Sequence, residues 1–102
     1  MCYNRKGEPM TLMEWAKAME DINQKRVAET TLPSGIWIST VWLGLDHSFG
    51  GGPPLIFESM AFAERGQWCE LDCTRYATLA EAVAGHDAMV AKWTDQPVPK
   101  ET

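Results

Sequence analysis

The pair Asp46 and His47, followed by a Gly-Gly-Gly-Pro-Pro run at residues 50–54, contains the residue types best suited to chemistry in this sequence. A histidine titrates near neutral pH and can act as a general base, and glycines let backbone amides approach an anion closely. The carboxylate partner of that base would be Asp46 or Glu58. The run lacks the lysine and the hydroxyl residue of a phosphate-binding P-loop, and it does not match a dinucleotide-binding turn. The segment therefore predicts either a small-ligand or hydrolytic site built on these three side chains, or a loop whose glycines and prolines only shape the chain.

Cys69, Cys73 and His86 are the other groups that can ligate a metal or act as nucleophiles. A C-x₃-C spacing with one distant histidine lacks the paired ligands of a structural zinc site, so we expect no metal and no cofactor. Both cysteines would lie on the same side of a strand, which favours buried thiols that pack as small apolar groups. His86 falls on the apolar face of a helix, where we expect a core position and a hydrogen bond to a backbone group.

The charge of the chain is unevenly distributed. The net charge is −5, and residues 40–95 carry three basic and eight acidic side chains, whereas residues 1–39 carry five of each. This balance argues against direct binding of nucleic acid, which requires a basic surface. An acidic face would attract a basic partner, including a protein surface that normally holds nucleic acid. The alternative is a solvated acidic surface that keeps a small protein soluble.

Tryptophans supply the apolar part of such an interface. Trp15 and Trp93 fall on helix faces that we assign to the core, whereas Trp37 and Trp42 point to opposite faces of one strand. One of these two can be exposed and anchor a partner, or both can be buried under helices. The predicted binding surface consists of Trp42, Asp46, His47, Phe49, Glu58, Glu64, Glu70 and Asp72.

Local sequence signals predict the elements that must position these groups. Lys6-Gly7 indicates a turn in a short N-terminal hairpin. Two capping boxes, in which a threonine and a glutamate three residues later satisfy each other's backbone amides, predict helix starts after Thr11 and Thr78. The first helix would span about residues 12–21, with Leu12, Trp15, Ala16 and Met19 facing the core. Four strands are predicted within residues 24–32, 36–45, 55–62 and 68–75.

These elements predict an α+β fold: an N-terminal hairpin, a helix, a four-strand antiparallel meander and a C-terminal helix packed on the sheet. We expect one domain over residues 1–95 and a flexible polar tail over residues 96–102. The chain has no apolar run of the roughly 20 residues that a membrane span needs and no apolar secretory segment, so we expect a cytoplasmic protein. Self-association through the apolar strand at residues 36–45 would be compatible both with a small-ligand or hydrolytic site and with a protein-binding surface.

Two segments resemble a family of small proteins encoded by bacteriophages and prophages. They run from Ser39 to Met60 and from Arg75 to Val90, cover roughly half of the chain, and include the distinctive phrase LDHSFGGGPPL at residues 45–55. The resemblance implies a viral accessory gene product in an infected or lysogenic bacterium, and it implies no particular activity. Together with the acidity and small size, it suggests an interaction protein that inhibits a host or defence protein, by analogy with anti-CRISPR inhibitors.

Overall fold

The computed structural model describes residues 2–46, 52–66 and 69–95. A short hairpin of β1 (Cys2–Tyr3) and β2 (Pro9–Met10) is followed by two helices, α1 (Leu12–Met19) and α2 (Ile22–Lys25). Four antiparallel strands then form one sheet in the order β3-β4-β5-β6, and a long helix packs on it. The α+β architecture and its meander topology are confirmed. The bounds of these later elements are β3 Arg26–Thr31, β4 Trp37–Trp42, β5 Phe57–Phe62, β6 Glu70–Tyr76 and α3 Leu79–Thr94.

Both predicted capping boxes are present and begin the two longer helices. The Thr11 hydroxyl accepts from the Glu14 amide at 3.1 Å, and the Glu14 carboxylate accepts from the Thr11 amide at 2.9 Å. These hydrogen bonds, first the one from the Thr11 backbone, lower the pKa of Glu14. Thr78 and Glu81 repeat the arrangement at 3.1 Å in both directions. Each helix therefore begins where four consecutive residues satisfy otherwise unpaired amides.

The chain between the first helix and the sheet differs from the prediction. The helix predicted to reach residue 21 ends at Met19, and the short helix α2 replaces the predicted start of a strand at residue 24. Asp21 explains the difference, because its carboxylate accepts from the Asn23 amide at 2.9 Å and caps a new helical turn. Strand β3 therefore begins only at Arg26.

The buried face of α1 is rotated relative to the predicted one. Leu12 is 68% exposed and Ala16 is exposed, whereas Ala18 is buried. The Trp15 indole N–H donates to the Leu43 carbonyl oxygen at 2.9 Å and so fixes the orientation of the helix. Gly44 has a φ of +75°, and a Cβ there would overlap the Trp15 indole, so this contact needs a glycine.

The sheet buries one of its two faces. Along β4, Ile38, Thr40 and Trp42 are buried, and the alternate residues are half-buried. The buried residues pack in two clusters with residues of α3 and α1. One cluster contains Leu32, Ile36, Ile38, Ala61, Met89 and Trp93, and the other contains Ala18, Trp42, Ile56, Phe57 and Ala82.

None of the helices within the described residues has both the length and the apolar character needed to cross a bilayer.

Candidate binding surface on the sheet

The second face of the sheet, which we call the open face, is formed by the residues that point away from α3. The register pairs Trp37 with Phe62, Ser39 with Met60 and Val41 with Glu58. Because directly paired residues share a face, these six side chains form one surface. They line a hollow of about 200 Å³ to which, among the described residues, only β4 and β5 contribute.

The centre of the open face is aromatic. The rings of Trp37 and Phe62 stack with centroids 5.6 Å apart, and the Arg65 guanidinium lies 5.3 Å from the centroid of the Trp37 ring. The Trp37 indole nitrogen is buried and has no hydrogen-bond acceptor among the described residues. Buried donors are almost always paired in folded proteins. The open face therefore has an apolar centre and, buried beneath it, an indole donor without an acceptor.

Paired charges lie on both sides of this aromatic centre. On the β3 side, Glu29 lies 3.3 Å from Arg26 and 3.9 Å from Arg65. On the β6 side, the Arg75 guanidinium donates to Glu58 at 2.9 Å. The rim of the open face is therefore polar with mixed signs, as in protein interfaces.

Trp42 does not belong to this surface. It is 2% exposed, packs in the core and donates its indole N–H to the Tyr3 carbonyl oxygen at 3.0 Å. The prediction that Trp42 contacts a partner is wrong, because α3 and α1 cover the face on which its strand position places it. Trp37, on the other face, holds the position that the sequence analysis gave to Trp42.

The predicted carboxylates do not form one acidic face. Glu58 is on the open face, whereas Asp72 pairs with Ala61 and lies on the helix side. The Asp72 carboxylate accepts from Lys92 at 2.9 Å and from the Trp93 indole at 3.1 Å. Partial burial raises the pKa of Asp72, but these hydrogen bonds outweigh it and hold the pKa below its usual value. Glu64 and Glu70 are exposed, at the turn after β5 and at the start of β6.

In the loop at residues 46–54, which could hold a catalytic Asp46–His47 pair, Asp46 has a structural role. Asp46 Oδ1 accepts from the Leu55 amide at 3.0 Å and joins the two ends of the loop. His47 and Phe49 lie outside the described residues. Glu58, the alternative partner of His47, is bound to Arg75. The catalytic arrangement of these side chains therefore stays a prediction.

Cys73 in the last strand and Cys69 just before it are both exposed, so the prediction of two buried thiols is wrong. Strand β6 is at the edge of the sheet, where its side chains have fewer neighbours, and Cys69 precedes the strand. Although Cys73 is exposed as a whole residue, partial burial of its sulfur raises the pKa of the Cys73 thiol, and the nearby Glu58 carboxylate raises it further. A raised pKa disfavours the nucleophilic thiolate. Within the described residues, no group of three His, Cys, Asp or Glu side chains could hold a metal ion.

His86 is buried as predicted, but its partners are side-chain hydroxyls. Its Nδ1 lies 2.7 Å from Thr40 Oγ1 and its Nε2 lies 2.9 Å from Thr30 Oγ1. Thr40 is also hydrogen-bonded to Ser59, at 2.5 Å. Thr40 and Ser59 are fully buried and His86 is 4% exposed, so no substrate reaches this hydrogen-bonded row. The row therefore satisfies polar groups in the core and links α3 to three strands.

Comparisons with protein-family models, with curated proteins and with solved structures find no match to this chain.

Proposed function

We propose that this protein acts by binding another protein through the open face of its sheet. The observation that carries the proposal is the stacked pair of Trp37 and Phe62, with an unpaired indole donor, on a face that no described helix lines. Tryptophan and arginine are the residues that most often dominate binding energy in interfaces. Here Arg65 lies against the Trp37 ring, so both types are at the same point.

The unpaired donor specifies part of the partner. Leaving a buried N–H without an acceptor costs about 1–3 kcal/mol. Because the Trp37 nitrogen is closed to solvent in this structure, a carbonyl or carboxylate oxygen of the partner would have to displace the side chains around it to recover this free energy and fix the orientation of the complex. The apolar part of the contact would come from Val41, Met60 and Phe62, which surround the hollow.

The charge of the protein supports a basic partner. The net charge of −5 attracts positive surfaces over a distance and raises the rate of association, although the ion-paired side chains at the open face itself, three arginines and two glutamates, sum to +1. With the resemblance to phage proteins, this favours a host or defence protein whose basic surface normally holds nucleic acid. In that role the protein would work as an inhibitor, as anti-CRISPR proteins do.

A pull-down of the tagged protein from bacterial lysate, followed by mass spectrometry at low and high salt, tests the proposal. We expect a stoichiometric partner that is weakened by salt and lost with Trp37→Ala. Val83→Ala is the matched control, because Val83 is a 47% exposed apolar residue of α3, on the other side of the sheet. A partner that survives Trp37→Ala, or that depends on Val83, would contradict the proposal, as would the capture of no protein at low salt.

The alternative site at residues 46–54 makes the opposite prediction. A small-ligand or hydrolytic role requires His47 as the base, so His47→Ala would abolish function while Trp37→Ala would spare it. Comparing the two variants in a phage-fitness assay therefore separates the two functions.

A further inference from the structure

A line of four side chains crosses the open face at the level of Trp37. The Trp37 ring stacks on Phe62, and the Arg65 guanidinium lies 5.3 Å from the centroid of the Trp37 ring. Arg65 also lies 3.9 Å from Glu29, a residue of β3, so it extends from Trp37 towards β3. Beyond Phe62, the register places Glu70 of β6. The order across the face is therefore a cation, two aromatic rings and a carboxylate.

Glu70 is exposed on the open face and has no cationic partner among the described residues. It pairs with Phe62, and paired residues share a face. Cys73 pairs with Met60 on the same face. Burial, and then Glu58, raise the pKa of the Cys73 thiol, and the charge of Glu70 adds to this effect. The Glu70 carboxylate is therefore available to a cation of another molecule.

The charges of the open face are divided between its two sides. The side next to β3 carries Arg26, Glu29 and Arg65, and the side next to β6 carries Glu58, Glu70 and Arg75. The first side has a net charge of +1 and the second a net charge of −1, so the face as a whole is neutral. Two copies of this face can therefore meet without net repulsion if opposite sides lie against each other.

The symmetry of such a pair follows from the packing of sheets. Sheets that pack face to face in an aligned manner keep their strand directions within about 30° of each other. For two identical sheets, a two-fold axis between them then runs either along the strands or across them. An axis across the strands places each side of the open face on the same side of the second copy, where the net charges are alike. An axis along the strands, between β4 and β5, places the β3 side of each copy on the β6 side of the other.

We infer that, when no other partner is bound, the open face pairs with the open face of a second copy of the chain about a two-fold axis along the strands. Arg65 of each copy then meets Glu70 of the other, and Trp37 of each copy packs on Phe62 of the other. Arg26 meets Arg75 of the second copy, but each arginine keeps its own glutamate. The inference rests on the proposed function in that both make the open face a binding surface. Pairing of two copies would reduce the number of open faces available to a partner.

The small size of the face limits the strength of the pair. The sheet has four strands, and β4 and β5 have six residues each. Strands about 4.8 Å apart, with a rise of about 3.3 Å per residue, give a projected area of about 400 Å² per copy. Two copies together bury about 800 Å², below the roughly 1,200 Å² at which standard interfaces begin. We therefore expect an equilibrium between monomer and dimer that depends on concentration.

Sedimentation of the purified chain over a range of concentrations measures this equilibrium. In about 0.15 M salt the Debye length is about 8 Å, which screens most of the repulsion between two chains of net charge −5. Arg65→Glu and Glu70→Arg should each weaken the dimer at least about tenfold, because each places like charges at both symmetry-related contacts. An equimolar mixture of the two variants should dimerise to within about threefold of the unchanged chain, because both contacts of the mixed dimer again join opposite charges. This recovery would also show that both variants are folded.

Lys17→Glu and Glu20→Arg are the matched controls, because they make the same charge changes at exposed positions in and just after α1. We expect each control to change the dissociation constant less than about twofold, and Trp37→Ala to raise it at least about tenfold. A chain that stays monomeric at about 1 mM would overturn the inference. A dimer that tolerates Arg65→Glu, or that the mixture does not restore, would overturn it as well. Because only the purified chain is measured, these results are independent of whether a partner is captured from lysate.

Discussion

Replacing Thr40 by valine tests the buried row of hydroxyl and imidazole groups. The two side chains have nearly the same shape, and valine suits a strand, so the substitution removes the hydroxyl and little else. That hydroxyl is hydrogen-bonded to His86 Nδ1 at 2.7 Å and to Ser59 at 2.5 Å. Both partners are buried and would lose this hydrogen bond.

The expected cost follows from these two groups. An unpaired buried polar group costs about 1–3 kcal/mol, so with two such groups Thr40→Val should lower the free energy of unfolding by about 2–6 kcal/mol. That is a large fraction of the roughly 5–15 kcal/mol typical of a domain. Thr31→Val is the control, since Thr31 is an exposed threonine of β3, and its cost should stay within about 0.5 kcal/mol.

Urea denaturation at pH 8, followed by tryptophan fluorescence, measures both values. The double variant Thr40→Val with His86→Leu removes the imidazole as well as the hydroxyl that pairs with it. It should therefore cost less than the sum of the two single variants. A Thr40→Val variant that loses under 1 kcal/mol would show that the Thr40 hydroxyl contributes no net stability, and additivity in the double variant would show that Thr40 and His86 are not coupled.

Three further predictions concern pH, packing and thiol reactivity. Burial lowers the pKa of His86 from its usual value of 6.5, although Asp87 opposes this shift. As the pH decreases, the unfolded chain therefore takes up the proton before the folded protein does. At pH values below about 6.5, the free energy of unfolding should decrease as the pH decreases. An unchanged pH slope in His86→Leu would contradict this. Gly85→Ala should destabilise the protein by about 1–3 kcal/mol through overlap with Tyr76, despite the higher helix propensity of alanine; the loss should disappear in a Tyr76→Leu background. Burial, and then the Glu58 carboxylate, raise the pKa of Cys73, so Glu58→Gln should increase the rate at which the Cys73 thiol is alkylated at pH 8. Peptide mass spectrometry measures this rate. An unchanged rate would refute the effect of the carboxylate.

The parts of the fold that the sequence predicts are those with local signals. The capping boxes at Thr11 and Thr78 need only four residues each, and both helix starts were predicted from them. The short helix α2 was not predicted, because the Asp21 cap is a weaker signal than the alternating pattern that follows it. The strand order was predicted because strands that are consecutive in sequence usually lie next to each other in a sheet.

The site depends on contacts that a single segment does not encode. Alternation places Trp37 and Trp42 on opposite faces, but which face is covered is decided by where α3 packs. Glu58 and Asp72 lie on opposite faces because Asp72 pairs with Ala61, which is an odd number of residues from Glu58 on β5, and this pairing is known only from the register. The partners of His86 come from two strands far away in sequence, so only the register reveals them. A sequence signal for these buried hydrogen bonds was Thr40, a hydroxyl residue in the middle of an apolar strand.

The short strand β1 has a practical consequence for work with this protein. The Tyr3 amide donates to the Gly44 carbonyl oxygen at 2.7 Å, and the Tyr3 carbonyl accepts from the Trp42 indole. Cys2 is 5% exposed and bridges to Leu45. A fusion placed directly before Cys2 would crowd this packed end of the sheet. A truncated chain that begins at Met10 would leave the Trp42 indole without its acceptor. Affinity tags and fluorophores therefore belong after α3, and expression vectors should retain β1.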